Sequence, residues 1–139
     1  MLLDSNIIIY AAQLENEFLR EFIAENSPYV SALSYLEVLG YHRLTHQDKV
    51  YFEEFFNASQ ILPISQPVIN QAVTLKQIRK MSLGDAIIAG TAFVYNLTIV
   101  TRNIDDFNWL SKLNIFRWNR QMKFIGKLIN YHHLNHFLA

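Results

Sequence analysis

Four acidic residues, Asp4, Glu37, Asp85 and Asp106, each stand where an apolar run meets the start of a helix. Their settings are Leu2-Leu3-Asp4-Ser5-Asn6, Ser34-Tyr35-Leu36-Glu37, Ser82-Leu83-Gly84-Asp85 and Asn103-Ile104-Asp105-Asp106-Phe107. In an α/β fold, strand ends and the helix starts after them gather on one edge of the sheet. Acids far apart in the chain can therefore share one pocket. Such a cluster repels itself unless a cation sits in it. Mg²⁺ or Mn²⁺ takes carboxylate and water oxygens as ligands. An ion of that kind lowers the pKa of a bound water and offsets charge on a phosphoryl group, which points to phosphodiester chemistry.

Each acid also has a plainer use. Asp4 can cap the helix that follows it. Ser34-x-x-Glu37 fits a capping box, in which Glu37 reaches back to the Ser34 amide and cannot fully ligate a metal at the same time. Ser82-x-x-Asp85 has the same form with a shorter acid. Asp105 and Asp106 can complement a helix dipole. Two observations favour a shared site over four separate caps. Asp85 opens Ala86-Ile87-Ile88-Ala89-Gly90-Thr91-Ala92, an apolar helix that must be buried, so its carboxyl is partly desolvated. Asp4 lies at the very start of the chain, where a cap matters little.

The elements that must position these acids alternate along the chain. Met1–Leu3 reads as a buried strand, followed by helical segments over Asn6–Gln13 and Glu15–Glu25. Tyr29–Leu33 reads as a strand, and Ser34 opens a helix carrying Leu36, Leu39 and Leu44. Asp48–Asn57 puts Tyr51, Phe52, Phe55 and Phe56 on one helix face, as a core or dimer surface would. Gln60–Ile64 is a strand, and Pro67 suits the first turn of a helix ending near Lys80. Leu83–Tyr95 is an apolar helix, Leu97–Val100 a strand, and Ile115-Phe116 a last short strand. This alternation predicts an α/β fold of three layers, with a central parallel sheet flanked by helices.

At 139 residues, the chain supports one domain with a real core. With 51% apolar and 17% charged residues it is globular rather than disordered. Cysteine is absent, which excludes thiol nucleophiles and Cys-based zinc sites. Asp4 breaks the N-terminal apolar run, so no signal peptide is visible, and no run reaches the ~18 apolar residues of a membrane span. A cytoplasmic location is expected. The net charge of zero hides an asymmetry: all 12 acids lie in residues 1–106, while Lys112, Arg117, Arg120, Lys123 and Lys127 follow without one.

The four acidic segments together resemble the PIN-domain ribonucleases, and among them the VapC-type toxins of bacterial toxin–antitoxin pairs. The resemblance rests on Leu2-Leu3-Asp4-Ser5-Asn6-Ile7-Ile8-Ile9, on Val30-Ser31-x-x-Ser34-x-x-Glu37-x-x-Gly40, on Leu83-x-Asp85-Ala86-Ile87-Ile88-Ala89-Gly90-Thr91-Ala92, and on Leu97-Thr98-Ile99-Val100-Thr101-Arg102-Asn103-x-x-Asp106-Phe107. It covers roughly residues 1–116, leaving 117–139 as an extension of unassigned role. The resemblance implies that Asp4, Glu37 and Asp85 hold the metal. Asp106 is implied as a fourth, more variable acid, with Asn103 as another polar group facing the metal or its water and Asp105 as a lesser alternative. Asn6 and Ser34 are implied to support the site by hydrogen bonding. The family's activity would be metal-dependent endoribonuclease cleavage with Mg²⁺ or Mn²⁺, by a homodimer blocked by a cognate antitoxin. Ser5 departs mildly from the usual Thr.

Other features carry less. His132 and His136 stand four apart, as two ligands on a helical turn would, but no Glu follows His132 and zinc is not expected. Arg79, Lys80 and Arg102 flank the acidic motifs, either as phosphate contacts or as solvated surface charge. A phosphatase using Asp4 as nucleophile would want a second acid where Asn6 stands. A non-catalytic binding module is the other rival.

Overall fold

The computed structural model describes residues 1–110 and the backbone strand Ile115–Arg117. The chain runs β1 (Leu2–Leu3), α1 (Ser5–Ala11), a short 3-10 turn (Leu14–Asn16), α2 (Glu17–Asn26), β2 (Tyr29–Ser31), α3 (Ala32–Leu39), α4 (His46–Asn57), β3 (Gln60–Leu62), α5 (Gln66–Ile78), α6 (Leu83–Tyr95), β4 (Ile99–Thr101), a second 3-10 turn (Ile104–Asp106) and β5 (Ile115–Arg117). All neighbouring strands are parallel, in the order β3-β2-β1-β4-β5. The expected α/β fold is therefore observed. Among the described residues, no helix is long and apolar enough to cross a membrane.

Strand alternation divides the core. Leu2 and Ile99 point to one face and pack with Val68, Ala72 and Leu75 of α5 and the apolar stripe of α6. Leu3, Val30 and Val100 point to the other, against Ile7 and Ile8 of α1, Leu19 and Phe22 of α2, and Phe52 and Phe56 of α4. Helix α3 contributes to both clusters, with Leu33 in the first and Val38 in the second. It therefore straddles the upper edge of the sheet and touches α6. Helices α5 and α6 pack tightly at Gly90, where an added Cβ would lie 2.9 Å from the Val68 carbonyl oxygen. Of the aromatic face on α4, Phe52 and Phe56 are core, while Tyr51 and Phe55 pack at its margin.

Several expected boundaries move. Helix α3 opens at Ala32, capped by Ser31, whose Oγ accepts from the Leu33 amide at 3.0 Å. Ser34 does not open it. Ser31 is also the last β2 residue, paired with Leu62, so the sheet decides where the chain turns. The helix ends at Leu39, leaving Leu44 outside it. Asn96, at φ 52°, closes α6 in the left-handed conformation, and the Leu97 amide is bonded back to Ala92, so β4 begins later than Leu97. The histidines His132 and His136 and the extension beyond Arg117, in which Met122, Ile125, Leu128 and Ile129 recur at helical spacing in the sequence, lie outside the described residues.

Candidate metal centre

Asp4 is the first residue beyond β1. Alternation aims it toward the α6 side, along with Leu2. Because β1 and β4 pair Leu3 with Val100, the next residue of β4, Thr101, comes alongside Asp4. Thr101 Oγ1 donates to Asp4 Oδ2 at 2.9 Å and accepts from the Asn103 amide at 3.0 Å. One fully buried hydroxyl thus ties the carboxylate to the loop after β4. Although Asp4 occupies the N-cap position of α1, its side chain makes no cap hydrogen bond, so capping does not claim it.

Glu37, on α3, and Asp85, in the first turn of α6, lie on two helices that touch. With α3 opening at Ala32, Glu37 lies in its second turn, and the capping-box reading of Ser34 and Glu37 is overturned. The Ser34 hydroxyl is instead buried and hydrogen-bonded to Ser5 Oγ at 2.8 Å. Glu37 reaches Gly84: a Cβ there would lie 2.9 Å from Glu37 Oε1. The Ser82 hydroxyl caps α6 by accepting from the Asp85 amide at 3.0 Å. At Asp85 the cap therefore holds, and it fixes the backbone that carries the acid.

The electrostatics link the four acids in a row. Burial pushes Asp4 up to about 6; the Thr101 hydrogen bond opposes this, the Asp85 charge adds to it, the Ser5 amide opposes it, and the Glu37 charge adds the least. Asp85 is also raised, mainly by burial; the Ser82 hydroxyl opposes this and the Asp106 charge adds to it. No Lys or Arg ion-pairs with any of the four among the described residues. The donor set is all oxygen, without a cationic partner among the described residues and partly desolvated at Asp4 and Asp85, which suits a hard divalent cation. No three acidic or histidine side chains among the described residues stand close enough to hold one ion as they are. Glu37 and Asp106 are exposed and Asp4 is fixed, so closing on an ion would fall to the outer acids.

The loop after β4 separates its polar residues. Asp106 is exposed on the 3-10 turn and is felt by Asp85. It is anchored through its neighbour Phe107, which is fully buried, a contribution of roughly 2–3 kcal/mol. The Asp106 carbonyl also accepts from Trp109 Nε1 at 3.2 Å. Asp105 faces Asn108 at a long 3.5 Å. Asn103 and Asn6 do not reach the acids by hydrogen bonds among the described residues. They line a small cleft with Arg102 instead. His42 and His46 are exposed.

Three contributors were not assigned from sequence: Thr101, Gly84 and Ser5. Thr101 is the polar end of an apolar strand, a signal that becomes readable once β4 is placed beside β1. Ser5 supplies a hydroxyl to Ser34 from the position after Asp4, as Thr could. The importance of Gly84 depends on how α3 approaches α6, which spacing does not reveal.

A family model described as PIN domain matches residues 1–112. A search of the curated proteins found no match. Among solved structures, a chain of a toxin–antitoxin complex from Klebsiella pneumoniae is similar, with 26% identity and a TM-score of 0.66 over 81% of this chain and 93% of that one. A chain of DNA-bound VapBC from Salmonella typhimurium gives 20% identity and a TM-score of 0.75, covering 85% and 97%. A chain of FitAcB from Neisseria gonorrhoeae gives 22% identity and a TM-score of 0.67, covering 84% and 96%.

Proposed function

The chain belongs to the PIN-domain family, and from that membership we propose that it is a metal-dependent endoribonuclease, the toxin of a toxin–antitoxin pair. The observation that carries this reading is the acidic row centred on buried Asp4, with no ion-pairing Lys or Arg among the described residues. Asp4, Glu37 and Asp85 would hold Mg²⁺ or Mn²⁺, with Asp106 completing the set because its charge already reaches Asp85. Such an ion, when bound, supplies an acidified water and offsets charge on the phosphate. Thr101 keeps the Asp4 carboxylate oriented, and Gly84 leaves room for Glu37. The Ser5–Ser34 bond locks α1 against α3. Ser34 is thus a supporting residue; Asn6 is turned toward the neighbouring cleft.

The acids address only a phosphate, so RNA choice would lie in the surrounding surface, with single-stranded or looped RNA favoured over duplex. The solved relatives are toxin–antitoxin complexes, which supports a cognate antitoxin as partner in the cytoplasm. Exposed Leu36 on α3, Ile69 and Val73 on α5 and Leu83 on α6 supply apolar surface for a homodimer.

The deciding experiment incubates antitoxin-free protein with total RNA plus Mg²⁺ or Mn²⁺, beside Asp4→Asn and Asp85→Asn. Wild type should cleave and both variants should not. Equal cleavage by all three, or none with either metal, would sink the assignment. The spacing of the acids favours one rival, a PIN-fold module that binds RNA without cutting it. Retention of RNA by wild type without any metal-stimulated cleavage would select that rival.

A further inference from the structure

Beside Asp4 lies a cleft of about 170 Å³ lined by Asn6, Ile9, Tyr10, Gln13, Arg102 and Asn103. It is smaller than the roughly 300–1,000 Å³ of pockets for whole ligands, so it suits one group of a longer molecule. No acid lines it. Arg102 separates Thr101, which holds Asp4, from Asn103, whose amide is bonded to the same threonine. The cleft and the acidic row are therefore joined through one strand end.

The cleft is built to donate hydrogen bonds. The Arg102 guanidinium lies over the Tyr10 ring, with Cζ 3.7 Å from its centroid. Tyr10 is only 6% exposed, so the platform is fixed. A guanidinium backed by a ring keeps its N–H edge free for a planar or phosphate acceptor. No carboxylate pairs with Arg102 among the described residues. Gln13 is oriented too: its Oε1 accepts from Asn16 Nδ2 at 3.3 Å, which leaves its own amide N–H₂ as the outward group. The main chain carrying Gln13 is pinned by Arg20, which donates to the carbonyls of Ala11, Gln13 and Leu14 at 2.8, 2.6 and 3.2 Å. Arg20 is thereby taken up by main-chain carbonyls, whereas Arg102, beyond its stacking on Tyr10, makes no hydrogen bond or ion pair among the described residues.

We propose that this cleft is a subsite for the substrate nucleotide adjoining the cleaved phosphate, with Arg102 taking its backbone phosphate and Gln13, Asn6 and Asn103 meeting its polar edges. The proposal rests on the ribonuclease reading above. An RNA strand needs a cation outside the metal centre to track its backbone past four acids. An acidic peptide at the same place would set its carboxylates beside Asp4 without a metal-bound phosphate to hold it.

The test uses the cleavage-silenced Asp4→Asn protein and a short fluorescein-labelled single-stranded RNA of random sequence, followed by anisotropy over a KCl series with and without Mg²⁺. Adding Arg102→Ala should weaken binding about tenfold and make the slope of log affinity against log salt shallower by about 0.7, one phosphate contact on a single strand. Arg102→Lys should keep the slope while losing part of the affinity, and Gln13→Ala should lose affinity with the slope unchanged. Unchanged affinity and slope in Arg102→Ala, while wild type still cleaves RNA, overturns the subsite alone. Absence of both cleavage by wild type and binding by Asp4→Asn overturns the ribonuclease reading and the subsite with it. If Arg102→Ala leaves RNA binding intact but abolishes binding of a labelled Glu-rich peptide, the cleft serves an acidic partner and the proposal is wrong.

Discussion

Asp4 and Asp106 end up in one acidic row, yet they are held in opposite ways. Asp4 is 7% exposed, wedged between a packed strand and a helix, and hydrogen-bonded by a buried threonine. Asp106 is exposed on a single 3-10 turn and owes its place to the burial of its neighbour Phe107. The first position is geometrically fixed and electrostatically costly; the second is adjustable and nearly free of desolvation. Any ion bound there would meet one carboxylate already in place, and closure would fall to the outer acids.

The largest effect that would test this contrast is Asp4→Asn. It should lower RNA cleavage on the order of a thousandfold, as loss of several kcal/mol of charge stabilisation implies. The same change should stabilise the metal-free fold. In the native protein Asp4 is raised from 3.8 to about 6, so between those pH values the folded state binds more protons than the unfolded state. Stability therefore falls as pH rises through that window, by about 3 kcal/mol at most. Denaturant melts of wild type and Asp4→Asn without metal should diverge across it, with the variant more stable above about pH 6. Mg²⁺ should remove the difference by favouring the charged form. Parallel curves would mean that the carboxyl is not held as described.

Next in size is Thr101→Val, which removes the hydroxyl that donates to the Asp4 carboxylate and accepts from the Asn103 amide. It should destabilise by about 1–3 kcal/mol and reduce cleavage by tens of fold, measured by thermal melts and initial rates. Gly84→Ala comes third: its methyl group would press on Glu37 Oε1. About a tenfold loss of cleavage, with a weaker apparent metal affinity and an unchanged melting temperature, is expected. The smallest is Asp106→Asn, at several-fold, set against no change for Asp105→Asn. If Asp106→Asn matched Asp4→Asn, or Asp105→Asn exceeded it, the distinction between a fixed and an adjustable acid would be lost.

The contrast also explains what could be read from sequence. Helix α6 runs from Leu83 to Tyr95 as its apolar pattern predicts, because a buried helix with a serine cap admits no other reading. The strand and helix order followed for the same reason. The start of α3 did not. Ser31 and Ser34 are equally good caps by type, and the choice fell to a tertiary fact, the pairing of Ser31 with Leu62 across the sheet. That shift freed Glu37 from the capping role. Asn6 and Asn103 were legible as polar neighbours, but which cleft they face depends on Arg102 lying on Tyr10. Thr101 becomes visible only with register, since its partner is distant in the chain.

The close approach of α5 and α6 at Gly90 has a temporal consequence. These two helices are sequence neighbours and share the most extensive contact between any two elements. A pairing that local closes with little loop entropy and is expected to form early. The acidic row is the opposite, because Asp4 gains its threonine only when the first strand finds the fourth. The α5–α6 pair would thus be in place before the acidic row is assembled. Pulse-labelled hydrogen exchange should show α5 and α6 amides protected ahead of β1.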